Sequence, residues 1–321
     1  MASTTSSIRE LSGYMPAVPT PFTTGDTVDF AAFARFCDLQ IEAGATALVV
    51  LGTTGEAPTL GIDEQRQLIL AARRIASRRV PVVAGAGSNS TAHAIELSRM
   101  ATAAGADALL SVVPYYNKPP QAGIHAHFLA IAKATDLPII LYDVPSRTVS
   151  ALADDTVARL AENPRFAGLK DATGDVSRPL RLRRLVGSDF RLLSGDDATA
   201  PAFLAQGGDG CISVTSNVAP QLCRDMYLAL VRGDLAEAHR LSIPLSILTA
   251  ALFRKTSPIP LKQALSLLGL MSAAVRLPLV QLSEQGRDEL VAVIQQVSVN
   301  RQLIGEVAAR FSVADSRRLT A

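Results

Sequence analysis

Residues 138–171 read PIILYDVPSRTVSALADDTVARLAENPRFAGLKD, and this stretch contains one complete unit of the pattern that decides the fold. An apolar run, Pro138–Val144, is followed by helical spacing in Asp154–Ala161 and then by a second apolar run, Ala167–Asp171. The runs are almost continuously apolar, which is typical of parallel strands that are covered on both faces. The stretch therefore predicts a strand, a helix and a second strand parallel to the first.

The same unit recurs through residues 14–233. The predicted strands are Met15–Thr20, Ala47–Gly52, Val80–Ala84, Ala108–Val113, Pro138–Val144, Ala167–Asp171, Arg191–Ser194 and Gly210–Val214. The helices predicted after them are Phe30–Ala43, Asp63–Ser77, Thr91–Ala104, Gly123–Ala134, Asp154–Ala161, Val176–Val186, Ala198–Gln206 and Pro220–Val231. Eight such units favour a closed (β/α)8 TIM barrel. An open, doubly wound sheet has the same alternation, and periodicity alone does not exclude it.

The alternation of strand and helix patterns ends at Gly233, and residues 234–321 contain no strand-like run. Helical spacing is found in Leu235–Leu252, Leu261–Leu267, Arg287–Val297 and Gln302–Phe311. We therefore predict a C-terminal helical extension over residues 234–321, a catalytic barrel over 14–233 and a frayed N-terminus over 1–13.

The composition excludes several classes of protein. Of the 321 residues, 48% are hydrophobic and 19% are charged, which rules out a disordered chain. The three cysteines show no C-x-x-C spacing and predict core packing rather than disulfides or metal binding. A net charge of +2 gives no reason to expect nucleic acid or an anionic membrane as a partner. No apolar run approaches the ~18 residues of a membrane span, and the Ser/Thr-rich start lacks a signal sequence. We expect a cytoplasmic protein.

Lys170 is the most informative residue at a predicted strand end, where the active sites of such barrels lie. It closes an apolar run, and it is one of only five lysines among 31 basic residues. Burial disfavours the charged form of an amine, and a neutral amine is a nucleophile for carbonyl groups. The alternative is a lysine that reaches solvent or pairs with Asp171.

Three further residues fit chemistry through a Schiff base. Tyr142 ends the neighbouring strand and could shuttle protons, and Thr53 could extend a chain of hydroxyls from another strand. Arg147 offers a planar fork for a carboxylate. A buried tyrosine that bonds only the backbone and a surface arginine remain the alternatives. The loop 52–55 (GTTG) could cradle a carboxylate or a phosphate, but it is not a Walker loop.

Other polar residues predict no metal site. The four histidines, at positions 93, 125, 127 and 239, do not have the spacing of a ligand set. Asp196 and Asp197 could bind a cation, but capping the N-terminus of the following helix is the interpretation that we favour.

Seven motifs in order make the chain resemble the dihydrodipicolinate synthase family, within the N-acetylneuraminate lyase superfamily of class I pyruvate aldolases. They are TPF at 20–22, GTTGE at 52–56, PYYN at 114–117, YDVPSRT at 142–148, GLKDATG at 168–174, SGDD at 194–197 and PIPLK at 258–262. The resemblance runs from about Met15 to about Ser298. It implies a barrel enzyme that needs neither a metal nor an organic cofactor, and a homotetramer built as a dimer of dimers.

The resemblance also implies roles for individual residues. Lys170 would form an imine with pyruvate, and Tyr142 would donate and accept protons. Thr53 would link Tyr142 to Tyr116, which in this family crosses to a neighbouring subunit's site.

Substrate binding is implied for three more positions. Thr54 would bind the pyruvate carboxylate, and the Ile212 carbonyl would lie near the Lys170 amine. Arg147 would bind the carboxylate of aspartate semialdehyde, the second substrate. The alternatives are an aldolase or dehydratase for 2-keto-3-deoxy sugar acids, a sialic acid lyase, and a barrel that only senses a keto acid.

The chain departs from the family pattern at a few positions. Asp143 stands where Asn is more common, Val149 replaces a Gly, and Ala57-Pro58 replaces Ser-Ala. In the family's lysine sensor, Asn89 and Tyr115 match, but His93 occupies the position of a Glu. An imidazole does not replace a carboxylate as partner for the ammonium groups of lysine, so we expect weak or absent inhibition by lysine.

Overall fold

The computed structural model describes Ile8 and residues 11–298, and within them eight strands form one parallel sheet. The strands are β1 (Gly13–Pro16), β2 (Leu48–Val50), β3 (Val82–Gly85), β4 (Ala108–Val112), β5 (Ile139–Asp143), β6 (Phe166–Asp171), β7 (Arg191–Ser194) and β8 (Gly210–Ser213). Their order is β1-β8-β7-β6-β5-β4-β3-β2, so each strand lies beside its neighbours in the chain except where β1 pairs with β8.

The sheet closes on itself between β1 and β2. A parallel bridge joins Ala17 to Val49, and the backbone N–H of Val18 donates to the carbonyl of Val49 at 2.8 Å. This contact joins the two ends of the sheet, so the predicted (β/α)8 TIM barrel is confirmed and the open sheet is excluded.

Helices follow the strands around the barrel. They are α1 (Phe30–Glu42), α2 (Ile62–Ala76), α3 (Thr91–Ala103), α4 (Gln121–Ala132), α5 (Pro145–Thr148), α6 (Asp154–Ala161), α7 (Arg178–Arg183), α8 (Ala200–Ala205) and α9 (Pro220–Val231). The four-residue helix α5 was not predicted, because it is about one turn long and leaves no periodic pattern. The first strand ends earlier than predicted, since the chain beyond Pro16 turns towards the loop after β2, where the Thr20 hydroxyl donates to the Gly55 carbonyl at 2.7 Å.

The C-terminal part contributes three helices in the described residues, α10 (Leu235–Leu252), α11 (Ile259–Leu267) and α12 (Glu284–Ser298). They pack on one another, and α10 also packs on α9. The first three helical segments predicted after Gly233 are thereby confirmed, whereas the predicted helix Gln302–Phe311 lies outside the described residues.

The apolar residues form two layers. The inner cluster fills the barrel and includes Met15, Val49, Ile140 and Ile212, and the larger outer cluster lies between the strands and the helices. Successive residues of a strand point to opposite sides, so each strand supplies both layers. All three cysteines are buried, in agreement with the predicted core packing. In the described part of the chain, no helix is long and apolar enough to cross a membrane.

Candidate active site

The ends of β5 and β6 place Tyr142 and Lys170 side by side. The two residues are register partners in the parallel pair, and the Nζ atom of Lys170 lies 4.2 Å from the centroid of the Tyr142 ring. Their exposed fractions are only 7% and 6%. A buried amine against a phenol at the carboxyl ends of barrel strands is the arrangement that the sequence predicted.

Strand alternation explains why these side chains face the barrel interior. Ile140, Tyr142 and Val144 belong to the inner cluster, whereas Leu141 belongs to the outer one. Lys170 pairs with Tyr142 on one side and with Leu193, another residue of the inner cluster, on the other. Their shared register therefore directs both reactive groups to the same side of the sheet.

The residues that directly follow Tyr142 and Lys170 form an acidic pair on the other side of the sheet. Asp143 and Asp171 are register partners, and the buried guanidinium of Arg178 donates from Nη1 to both carboxylates, at 2.8 and 3.3 Å. The same arginine also donates to the Leu152 carbonyl at 2.6 Å and to Asp154 at 2.9 Å. Burial raises the pKa of Asp143, although the Arg178 charge opposes this effect. Arg178 thus braces the ends of β5 and β6; no sequence pattern predicted this role.

Two residues of the C-terminal part bind the GTTGE loop that follows β2. The Lys262 ammonium, in α11, donates to Glu56 Oε1 at 2.6 Å, and the backbone N–H of Arg276 donates to Oε2 at 3.0 Å. Glu56 and Lys262 are 2% and 0% exposed, and the ammonium lies 4.1 Å from the centroid of the Phe22 ring. Burial lowers the pKa of Lys262, while the charge of Glu56 opposes this effect. Glu56 belongs to the motif GTTGE and Lys262 to PIPLK, but nothing in their spacing predicts that they pair.

A cavity of about 430 Å³ opens beside this loop. Its wall includes Thr53, Tyr142 and Arg147, whereas Lys170, Thr54 and Ile212 are not among its lining residues. Thr54 and Ile212 are buried, with 5% and 1% exposed. The structure therefore brings three of the seven predicted site residues to one cavity, whereas three others are buried and do not line it.

The Tyr pair behaves differently from the rest of the site. Tyr115 lines the cavity, but the side chain of Tyr116 is 88% exposed, and its backbone has a φ of 71°. Such a φ is uncommon for a residue other than glycine. Among the described residues, no hydrogen bond joins Tyr142 to Thr53 or Tyr116, so the predicted chain of hydroxyls is not formed within this chain.

Arg147 lies in α5, at the rim of the cavity. Its side chain is exposed, and Nη2 donates to the carbonyl of Ser257 at 3.5 Å. Ser257 and its neighbours Thr256 and Pro258 precede α11, so the C-terminal part supplies one wall of the cavity. The sequence did not predict this contribution.

The predicted cap at Asp196 and Asp197 requires a correction. Asp196 accepts from the Ala198 N–H and the Thr199 hydroxyl, within its own turn. Asp197 instead accepts from the Ser213 hydroxyl at the end of β8 and from the N–H groups of Val214 and Thr215, which follow the strand, at 2.8 and 3.2 Å. The residue N-terminal to α8 is Thr199, and its side chain makes no capping bond. Within the described residues, no group of three or more His, Cys, Asp or Glu side chains is arranged to hold a metal ion.

A substitution at Gly195 should displace the Lys170 amine while leaving Lys170 itself in the sequence. A Cβ at residue 195 would lie 2.9 Å from Lys170 Cε and 3.0 Å from Cγ, so the lysine side chain would have to move. We expect Gly195→Ala to lower kcat/KM by about 10- to 100-fold, because misplacing a reacting group by about 1 Å has effects of this size. Borohydride trapping with pyruvate should be slowed in parallel.

Gly187→Ala is the matched control, since a Cβ there meets no atom within 4 Å. It should retain normal activity and trapping. If Gly195→Ala folds and traps pyruvate at the rate of the unmodified chain, then the small residue at this position does not set the position of the amine.

The chain is similar to known proteins over most of its length. Residues 10–297 match the model of the "Dihydrodipicolinate synthetase family". The chain is 52% identical over 282 residues to the 4-hydroxy-tetrahydrodipicolinate synthase of Rhodospirillum centenum. The aligned region covers 88% of this chain and 97% of that protein. It is 53% identical over 269 residues to the synthase of the same name from Hyphomonas neptunium, covering 83% and 92% of the two chains.

A solved structure is similar over almost the same range. It is the chloride-inhibited dihydrodipicolinate synthase of Acinetobacter baumannii in complex with pyruvate, with a TM-score of 0.86 and 43% identity. The match covers 88% of this chain and 98% of that one. With the family model spanning nearly all described residues and the barrel matching in three dimensions, the chain belongs to the dihydrodipicolinate synthetase family.

Proposed function

We propose that this chain is a class I lyase that condenses pyruvate with L-aspartate 4-semialdehyde to 4-hydroxy-tetrahydrodipicolinate, in the biosynthesis of diaminopimelate and lysine. The observation that carries this proposal is the buried Lys170 amine, 4.2 Å from the Tyr142 ring, at the mouth of the barrel. Relatives that bear the name of this synthase match the chain over most of its length.

The proposed reaction begins with attack of the Lys170 Nζ on the carbonyl carbon of pyruvate. Loss of water gives a protonated imine, which is the electron sink, and loss of a proton from the methyl carbon gives an enamine. That carbon forms a bond to the aldehyde carbon of the second substrate. The amino group of the adduct then attacks the imine carbon, closes the ring and releases Lys170. This sequence of steps needs no metal or organic cofactor.

Tyr142 donates and accepts the protons of carbinolamine formation and collapse. We place Thr53 beside it as the next hydroxyl, and Tyr116 in the site of a neighbouring subunit. The 88% exposure of Tyr116 and its positive φ support this role, because a ring held outside its own chain can reach another. The quaternary structure that we propose is a homotetramer built as a dimer of dimers, in the cytoplasm.

Carboxylate recognition is divided between two places. Thr54 binds the carboxylate of pyruvate, and the Ile212 carbonyl lies near the Lys170 amine. Arg147 binds the carboxylate of the semialdehyde at the rim, where its exposed guanidinium fits an incoming anion. Such a fork suits a carboxylate better than the hydroxyls of a sugar acid.

A comparison of second substrates tests the proposed function. The purified chain should consume pyruvate with aspartate semialdehyde in a coupled assay, and it should show little or no cleavage or dehydration of 2-keto-3-deoxy sugar acids. The reverse pattern of activity would replace the synthase by a sugar-acid aldolase or dehydratase. No turnover of either class by a chain that binds pyruvate would indicate a keto-acid sensor.

We further expect weak or absent inhibition by lysine. His93 stands at the position of the sensor glutamate, and an imidazole, which is neutral or positively charged, offers no anion to an ammonium group. Its Nδ1 atom lies 3.3 Å from the Glu96 carboxylate. When activity is measured against increasing lysine, the unmodified chain should not reach half-inhibition well below millimolar concentration. The His93→Glu variant should be inhibited at lower lysine concentrations than the unmodified chain. Strong inhibition of the unmodified chain would refute the expectation.

A further inference from the structure

The wall of the cavity contains a hydroxyl that the proposed chemistry does not use. Ser257 is 4% exposed and lines the cavity, and its Oγ atom is buried without a hydrogen-bond partner in the described residues. Buried hydroxyls are usually paired, because an unpaired one loses its bonds to water and gains nothing in return. Rotation about the Cα–Cβ bond of Ser257 would turn this hydroxyl towards the cavity, where a ligand would supply the missing partner.

Ser257 is also tied to Arg147. Its carbonyl accepts from Nη2 of the guanidinium at 3.5 Å, and both residues line the same cavity. Among the described residues, the Arg147 guanidinium makes this one hydrogen bond. A guanidinium has five N–H donors, so four remain for other partners. The Ser257 carbonyl thus contacts a cation whose other donors remain available to a ligand, and the hydroxyl of the same residue is a further donor in this wall.

Through its carbonyl, the serine bonds the residue to which we assign the second substrate. Lys170 and Thr54, to which we assign pyruvate, are not among the lining residues of the cavity, whereas Arg147, to which we assign the semialdehyde, is. Tyr142 and Thr53 line the cavity too. Among the described residues the serine is hydrogen-bonded to Arg147 and to neither of them, so we expect its hydroxyl to act on the second substrate and to leave imine formation unaffected.

We propose that Ser257 is a specificity-determining residue for the second substrate, and that its hydroxyl donates to the carboxylate that Arg147 binds; this inference rests on the proposed function. The C-terminal part of the chain then takes part directly in substrate selection, through the segment just before α11.

Steady-state kinetics of Ser257→Ala test the inference. The KM for aspartate semialdehyde should rise by about tenfold, which corresponds to one hydrogen bond to a charged group. The KM for pyruvate and the rate of borohydride trapping should stay unchanged. The thermal midpoint should be unchanged or higher, because the substitution removes an unpaired buried hydroxyl, whereas a purely structural role would lower the midpoint. Ser246→Ala, at an exposed serine of α10, is the matched control and should change none of these values.

The possible results separate the two proposals. If the unmodified chain does not turn over the semialdehyde, the proposed function fails, and the inference fails with it. If the unmodified chain is active and Ser257→Ala has the same KM for the semialdehyde, only the inference fails. An equal rise in both KM values would also overturn it, since the serine would then act on the whole site.

Discussion

Replacing Lys170 by alanine should abolish catalysis, with kcat/KM lower by at least about 10⁴-fold, the order of loss seen when an enzyme loses its nucleophile. The reason is that no imine can form, so the enamine that attacks the second substrate is never made. Among the described residues Lys170 forms no ion pair, and its contact is with the Tyr142 ring. The variant should therefore remain folded.

Mass spectrometry after borohydride reduction with pyruvate gives the direct measurement. The unmodified chain should gain one reduced pyruvate on the peptide that contains Lys170, and Lys170→Ala should gain none. Lys133→Ala, which removes an exposed amine next to α4, should label normally. A pyruvate adduct that persists on Lys170→Ala would place the nucleophile elsewhere and remove the basis of the mechanism.

Breaking the buried ion pair of Glu56 and Lys262 should have the largest effect on stability. Lys262→Met leaves the Glu56 carboxylate, only 2% exposed, without its cation. Removing one partner of a buried pair costs about 3–5 kcal/mol, because the remaining charge is neither solvated nor paired. In a chain of this size the thermal midpoint should fall by roughly 10 °C.

Calorimetry of a small set of variants checks this expectation. Glu56→Gln combined with Lys262→Met should recover much of the loss, because the stranded charge is removed while the residue at 56 can still accept from the Arg276 N–H. Lys255→Met, at an exposed lysine nearby, should leave the midpoint almost unchanged. A midpoint for Lys262→Met within a degree or two of the unmodified chain would mean that the pair contributes little.

The sequence predicted the barrel because its strands and helices are local patterns. Each apolar run and each helical spacing can be recognised within about 15 residues, and the order of the strands follows once eight units are counted. Lys170 and Tyr142 could be found for the same reason, since each ends a strand that the pattern reveals. Their register, which places the amine over the phenol ring, could not be read from either strand alone.

The interactions that the sequence did not reveal join residues far apart in the chain. Glu56 and Lys262 are separated by 206 positions, and Arg147 and Ser257 by 110. Neither pair has a spacing that a helix or a strand imposes, because each depends on how the C-terminal helices pack on the barrel. Asp197 was assigned to the wrong element for a similar reason, since its partners are Ser213 at the end of β8 and the two residues that follow it, and not groups in its own turn.

The alternation of β5 and β6 has a consequence for how this site can change. Tyr142 and Lys170 face the interior, and the very next residues, Asp143 and Asp171, face Arg178 on the outside. Inserting or deleting one residue in either strand would exchange the two faces, putting an acid into the mouth and a reactive group among the helices. Evolution must therefore retain each pair of neighbours as a unit, and new specificities are more accessible through the loops and the C-terminal wall than through these strands.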